Sequence, residues 1–533
     1  MSEQAAHSSA MIPLRRPVFR ALWLALIVSS MGSWMHDVGA AWLMTTLAPE
    51  PFMVSLVQAA MLLPLFLLTL PAGALADIFN RRRYLIGTQL WLSVTAACLG
   101  LLTLAGITNE WLLLMMTLSM GCGAAMMMPA FSALIPDLVP RDELTAAITL
   151  NSIAFNATRA LGPAVAGAIL AVTGPGIVFL INAASFSAVI LVIYSWRSEQ
   201  PASSLPSERF VGSMRSGLRY VRQAKELHAV IFRGVGLFAA MSAPLAFLPL
   251  VVRTELAQGP QTYGLLLGCI GAGAVATGLF LPAVRGRYSA DAVILFGTLG
   301  VVLASIALAW IRNLPLLSLA MFGLGASWIS AQSTLQVTAQ LALPGWVRAR
   351  GLAVFIASFM GVMALGVAGW GKLAGMTSLQ LALMCAAGLG AAAALLTARL
   401  SLENIANTDT EPAEPWLEPR LTPSTGDDRG PVLVTIEYEI DPDQAAGFVD
   451  AMQDVRRVRL GNGSMAWGLF QDVENERCFR ETFVDESWLS HLRQRFRVTR
   501  SDRRAMDEAL AYHQGSELPS ISHHIAPPRP ARR

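Results

Sequence analysis

Between residues 19 and 400 the chain is an almost unbroken series of long apolar runs separated by short polar breaks. The runs lie near 19–43, 53–76, 84–106, 111–135, 146–171 and 175–196, then near 229–252, 263–284, 290–311, 315–340, 350–372 and 378–399. Each approaches the ~20 apolar residues that a helix needs to cross a bilayer. The pattern predicts an all-α membrane protein of twelve transmembrane helices in two halves, 19–196 and 229–400. A cytoplasmic N-terminus (1–18) precedes them, and a polar central loop (197–228) joins them. An apolar soluble protein does not explain so many membrane-length runs. Six helices, a loop and six more is the two-half layout of many secondary transporters.

After Arg399 the periodicity changes. Residues 401–430 are rich in Pro, Thr and acid and read as a linker. Residues 431–526 read as a soluble domain. VLVTIEYEI alternates like a strand, 443–459 place Phe448, Met452 and Val455 on one helical face, and MAWGLFQDV and ERCFRETFV read as two more strands. One or two helices over 486–513 and a last strand at ISHHIA give β-α-β-β-α-β, the order of a ferredoxin-like α+β sandwich.

Charge gives the apolar runs an orientation. Only 14% of residues are charged against 54% hydrophobic, where a soluble domain carries about 25% charged residues. With the N-terminus inside, Arg81, Arg82, Arg83, Arg285, Arg287, Arg348 and Arg350 fall in inner loops, whereas the outer connections hold little beyond Arg253, Arg312 and Lys372. The positive-inside rule then places both termini in the cytoplasm, in a multi-pass protein of the cell (inner) membrane. The net charge of +3 gives no reason to expect nucleic acid as a partner. Cys98, Cys122, Cys269, Cys385 and Cys478 show no paired spacing, so neither disulfides nor a metal site is expected. No cofactor motif and no Walker sequence occurs, so an ion gradient rather than a built-in ATPase is expected to supply energy.

Four groups of residues are candidates for mechanism. Gly73, Asp77, Arg81 and Arg82 surround the loop after the second helix, where Gly73 would allow close helix approach and Asp77 would cap or pair in one conformation only. A plain basic anchor is the alternative. Arg159, Gly162, Pro163 and Gly167 lie in the fifth helix. Small residues and a proline there permit close packing and a bend, and an intramembrane arginine faces a cavity or a partner. Asp37 and His36, in the outer part of the first helix, are candidates for proton coupling or are simply solvated at the interface. Gln58, Asn151, Asn156, Gln332 and Gln336 are polar positions within spans, fit for cavity lining or for helix-to-helix hydrogen bonds.

The spacing Gly73–Asp77–Arg81–Arg82–Arg83 resembles the loop signature of the major facilitator superfamily, with Ile78 and Asn80 where that signature has a basic residue and a glycine. The fifth-helix segment resembles the glycine–proline motif of exporters in that superfamily. GSWMHDVGAAWLM, LPAGALADIFNRRR, PAFSALIPDLVPRDELTAAITLNS and RALGPAVAG, in order, resemble the subgroup of the enterobactin exporter and the "transmembrane secretion effector" proteins. The resemblance implies the major facilitator fold, with Gly73, Asp77, Arg81 and Arg82 as a conformational gate. It also implies export of siderophore-like or drug-like small molecules by proton antiport with alternating access. An uptake carrier of the same fold, or a membrane-anchored enzyme or sensor acting through the last domain, is the alternative. That domain resembles the cofactor-free antibiotic-biosynthesis monooxygenases, which implies a homodimer through its sheet. Trp467, Trp488, His491, His523 and His524 are its pocket candidates, or else core aromatics and surface histidines.

Overall fold

A computed structural model of the chain describes residues 11–140, 143–195, 220–400, 402, 429–494 and 497–527. Among them, twelve helices are long and apolar enough to cross a membrane. The first six are α1 (Pro17–Leu47), α2 (Pro51–Ile78), α3 (Arg81–Leu104), α4 (Glu110–Leu138), α5 (Leu144–Thr173) and α6 (Pro175–Ser195). The second six are α7 (Lys225–Leu250), α8 (Pro260–Arg285), α9 (Ala290–Trp310), α10 (Leu314–Leu341), α11 (Arg348–Met376) and α12 (Leu379–Thr397). Prolines stand inside α2, α5, α7 and α8, which membrane helices tolerate because neighbours re-satisfy the freed backbone groups. Much of the central loop, of the linker and of the N-terminus expected from sequence lies outside the described residues.

The chain divides into two compact units. The larger holds most of the twelve helices. Leu67, Met115, Val172, Leu191 and Leu303 stand more than half exposed on its helices, a surface that water would penalise and lipid accepts. Inside, Leu22, Leu85, Leu134, Val189 and Ile193 pack α1, α3, α4 and α6 together. In the second half, buried Arg233 of α7 pairs with Asp291 of α9 at 2.6 Å and donates to the Thr397 carbonyl at the end of α12.

The two six-helix halves meet along α5 and α8. A Cβ on Gly167 would lie 2.6 Å from the Pro260 carbonyl oxygen, and one on Gly264 would lie 2.6 Å from the Pro163 carbonyl oxygen. These glycines let the two backbones touch, as small residues do between membrane helices. Gly73 is different. Among the described residues, a Cβ there would meet nothing within 4 Å.

The second unit contains the C-terminal domain. Its elements are β1 (Val432–Glu439), α13 (Ala445–Asn462), β2 (Ala466–Gln471), β3 (Cys478–Asp485), α14 (Trp488–Gln494), α15 (Arg500–Leu510) and β4 (Ser520–Ile525). The sheet order is β2-β3-β1-β4 with every pairing antiparallel, the ferredoxin-like arrangement expected from the sequence. Val434, Ile436, Phe448, Met452, Phe479 and Phe483 form its core. In the same unit Trp346, between α10 and α11, stands edge-on to Tyr220 at 5.6 Å and lies 4.6 Å from the Arg497 guanidinium.

Candidate functional site

A cavity of about 210 Å³ lies among helices of both halves of the larger unit. Trp34 and Asp37 reach it from α1, Gln58 from α2, Thr117 from α4, and Arg159 and Pro163 from α5. Leu245, Tyr263, Trp328 and Met363 reach it from α7, α8, α10 and α11. Most of the remaining lining is aliphatic. Two opposite charges therefore share one apolar chamber, and no ion pair joins them among the described residues.

The polar atoms here are incompletely satisfied. The Arg159 guanidinium stacks 4.0 Å from the Trp328 ring centre, yet its Nη2 is buried without a hydrogen-bond partner. Gln58 Nε2 donates to the Leu245 carbonyl at 3.3 Å and so links α2 to α7, while its Oε1 accepts nothing. Trp328 Nε1 is likewise buried and unpartnered. Leaving such a group unpaired costs roughly 1–3 kcal/mol.

Asp37 also borders a small side pocket of about 30 Å³ with Ser33, His36, Leu92 and Met127. His36 is 1% exposed, packs 5.0 Å from Phe179, and makes no hydrogen bond through either ring nitrogen. The far ends of the halves are tied together beside the cavity. Trp42 of α1 stacks 6.2 Å from Tyr263 of α8, and Arg253 donates to Thr45 Oγ1 at 3.0 Å.

Asp37, Gln58, Arg159 and Pro163 thus converge on one chamber. Gly162 sits behind Trp34, where a Cβ would fall 2.8 Å from that side chain, and Gly167 belongs to the α5–α8 seam. Asn151, Asn156, Gln332 and Gln336 are not among the residues lining the cavity. Asn156 is exposed and donates back to the Ser152 carbonyl at 2.8 Å, which supplies the local partner that a cavity would have provided. Gln332 is half-buried and Gln336 exposed. In the first turn of α3, Arg82 donates from Nε to the Ile193 carbonyl at 3.1 Å and also to the Tyr194 carbonyl, capping α6. The side chains of Asp77 and Arg81 lie outside the described residues. The sequence reading missed Trp34, Trp328 and Tyr263. The available signal was that Trp34 stands three residues before Asp37, on the same helical face.

The C-terminal domain buries charge differently. Glu481, wholly buried on β3, accepts from Arg459 Nε (3.0 Å), Trp467 Nε1 (3.0 Å) and the Tyr438 hydroxyl (3.1 Å). Burial and then the neighbouring Glu481 charge push the Tyr438 phenol above its ordinary pKa. Burial works against the Arg459 charge, but the carboxylate beside it prevails and holds its pKa above the ordinary value. Asp485, also fully buried, accepts from Ser464 Oγ (2.8 Å) and Gln494 Nε2 (2.6 Å) and meets His491 Nδ1 at 2.8 Å. Trp488, His491 and His523 cluster within 5.0–5.8 Å of one another. Burial, and then His491 and His524, lower the His523 pKa. His524 is exposed, its neighbour in β4 pointing the other way. Among the described residues, no group of three or more His, Cys, Asp or Glu is placed to hold a metal ion.

The family model for transmembrane secretion effectors matches residues 8–531. An uncharacterized MFS-type transporter of Bacillus subtilis, YfiS, is 24% identical over 70% of this chain and 91% of its own length. The staphyloferrin A transporter of Staphylococcus aureus is 23% identical over 48% of this chain and 64% of its own, so the match falls just short of two thirds of that protein. The multidrug efflux pump Tap of Mycolicibacterium fortuitum is 26% identical over 57% and 76%. Among solved structures, a bacterial homologue of the iron transporter ferroportin in the inward-facing state has the same fold. It superimposes with a TM-score of 0.57 over 73% of this chain and 99% of its own, at 15% identity. Twelve membrane-length helices in two halves, a charged chamber among them and a family match over nearly the whole length lead to one assignment: the chain belongs to the transmembrane secretion effector family of major facilitator transporters and is a multi-pass membrane protein.

Proposed function

We propose that the protein is a secondary exporter that moves siderophore-like or drug-like molecules out of the cell in exchange for protons, by alternating access. The observation that carries this reading is the chamber among helices of both halves, holding Asp37 and Arg159 without a mutual ion pair. Such midplane sites between repeats are where secondary transporters bind their cargo. The efflux function named for the multidrug efflux pump Tap supports the outward direction, and the cargo named for the staphyloferrin A transporter supports a siderophore-like molecule.

In this cycle Asp37 holds a proton when cargo is absent and releases it when cargo binds, with His36 behind it as a second proton site. Opening to the far side requires that Trp42 part from Tyr263 and Arg253 from Thr45. Closure on the cytoplasmic side involves the loop of Gly73, Asp77, Arg81 and Arg82, with Arg82 gripping the end of α6. The chain lies in the inner membrane with both termini cytoplasmic, and the sheet of the C-terminal domain pairs two copies.

The test is accumulation in everted membrane vesicles with an acid lumen, using ethidium and a catecholate siderophore as probes. Accumulation that collapses when the gradient is dissipated supports proton-driven export. Accumulation that is indifferent to the gradient, or that occurs only in right-side-out vesicles, contradicts it.

A further inference from the structure

The chamber's unsatisfied groups fall into two chemical sets, and this bears on what it binds. Among the described residues, Arg159 Nη2 and Trp328 Nε1 are buried donors without acceptors, and the Gln58 carbonyl oxygen is a buried acceptor without a donor. All three residues line the cavity together with Asp37, whose carboxylate forms no ion pair with an arginine among the described residues. Trp328 lies against the Arg159 guanidinium, so the two orphan donors belong to one corner. Leu62, Ile270 and Met363 contribute apolar lining.

Buried polar atoms without partners are rare and costly in native proteins. They are retained where something else completes them. In this chamber the completing molecule has to offer an acceptor to Arg159 and Trp328 and a donor to Asp37 and Gln58. We propose that the cargo site is specific for compact zwitterionic amphiphiles: an anionic group held by Arg159 and Trp328, a cationic or donor group held by Asp37 and Gln58, and an aromatic or aliphatic body between them. A chamber of about 210 Å³ is smaller than the ~300 Å³ at which drug-sized pockets begin, so it takes a small molecule or one end of a larger one. This inference rests on the chamber being the transport site and adds the chemistry of the cargo. It also links cargo to proton, because a cationic group at Asp37 competes directly with protonation of that carboxylate.

The test uses three matched probes on the full chain in detergent. They are 4-(aminomethyl)benzoate, which carries both charges, its methyl ester, which carries only the cation, and its N-acetyl derivative, which carries only the anion. Affinity is read by calorimetry. The zwitterion should bind about 10-fold or more tightly than either singly charged probe, the size of one charge-assisted hydrogen bond. Arg159→Gln should erase the advantage over the ester and leave the advantage over the N-acetyl derivative. Asp37→Asn should do the reverse. Arg159→Lys should keep most of the preference, which a merely misfolded variant would not. Equal binding of the three probes, binding of none, or identical effects of the two neutralising variants overturns the proposal. The measurement needs no gradient and no direction. A zwitterion preference without vesicle accumulation therefore refutes export alone, and accumulation of cargo without the preference refutes this inference alone.

Discussion

The membrane bundle and the C-terminal domain both bury charge, and they treat it in opposite ways. Glu481 in the domain receives three donors and Asp485 two donors and a histidine. In the bundle, Arg159 stacks on Trp328 but keeps a buried nitrogen unpaired, and Gln58 keeps a bare carbonyl oxygen. A satisfied buried network fixes one arrangement of its elements. An unsatisfied one holds free energy in reserve for a molecule that arrives later. The first behaviour suits a folded accessory domain, and the second suits a site that fills and empties on every cycle.

The comparison breaks first at Glu481. Glu481→Ala removes the buried carboxylate to which Arg459, Trp467 and Tyr438 all donate and should cost the domain about 3–5 kcal/mol. A thermal melt of the full chain in detergent should show the domain's transition moving down while the bundle's transition stays. Next in size is the seam between the halves. Gly167→Val places side-chain atoms where a Cβ already falls 2.6 Å from the Pro260 carbonyl, and overpacking of this kind costs about 1–3 kcal/mol. Transport should fall with it, whereas Gly73→Ala, whose Cβ meets nothing within 4 Å among the described residues, should leave stability unchanged in the same melt.

Smaller still is the stability change expected at the chamber. Arg159→Gln removes a buried cation that has no carboxylate partner among the described residues, so the bundle should keep its stability within about 1 kcal/mol or gain slightly, as a melt of that variant will show. The smallest effect concerns His523. Its folded pKa lies below the ordinary histidine value of 6.5, so the unfolded chain binds the proton more readily. The stabilising contribution is therefore complete above pH 6.5 and is lost as the pH falls through the window between the unfolded and folded values. A melt of His523→Gln against pH should show a shallower loss of domain stability below 6.5 than the parent.

Much of the fold was legible because lipid leaves little choice. A bilayer demands long apolar helices, and the runs near 19–43 and 175–196 became α1 and α6 with boundaries a few residues away. The ferredoxin-like order was equally plain in VLVTIEYEI and its successors. The site was legible only in part. Asp37 and Arg159 stand out as charges in apolar runs, but Tyr263 of α8 and Trp328 of α10 join them only through the packing of the second half on the first. The glutamines at 332 and 336 show the limit of spacing arguments. A four-residue step advances about 40° beyond a full helical turn, so half-buried Gln332 is followed by exposed Gln336. Glu481 and Asp485 went unremarked although their alternation with Phe479 and Phe483 already put two acids on the inner face of β3.

The most direct measurement compares proton-driven accumulation in everted vesicles for Arg159→Gln and Glu481→Gln, each matched to the parent for folded protein. Transport should be lost in the first and kept in the second, where the amide oxygen in the Oε1 place still accepts from Trp467 and Arg459 and the amide NH2 in the Oε2 place donates to the Tyr438 hydroxyl oxygen. Transport kept in Arg159→Gln and lost in Glu481→Gln would move the working site out of the membrane chamber and contradict the account.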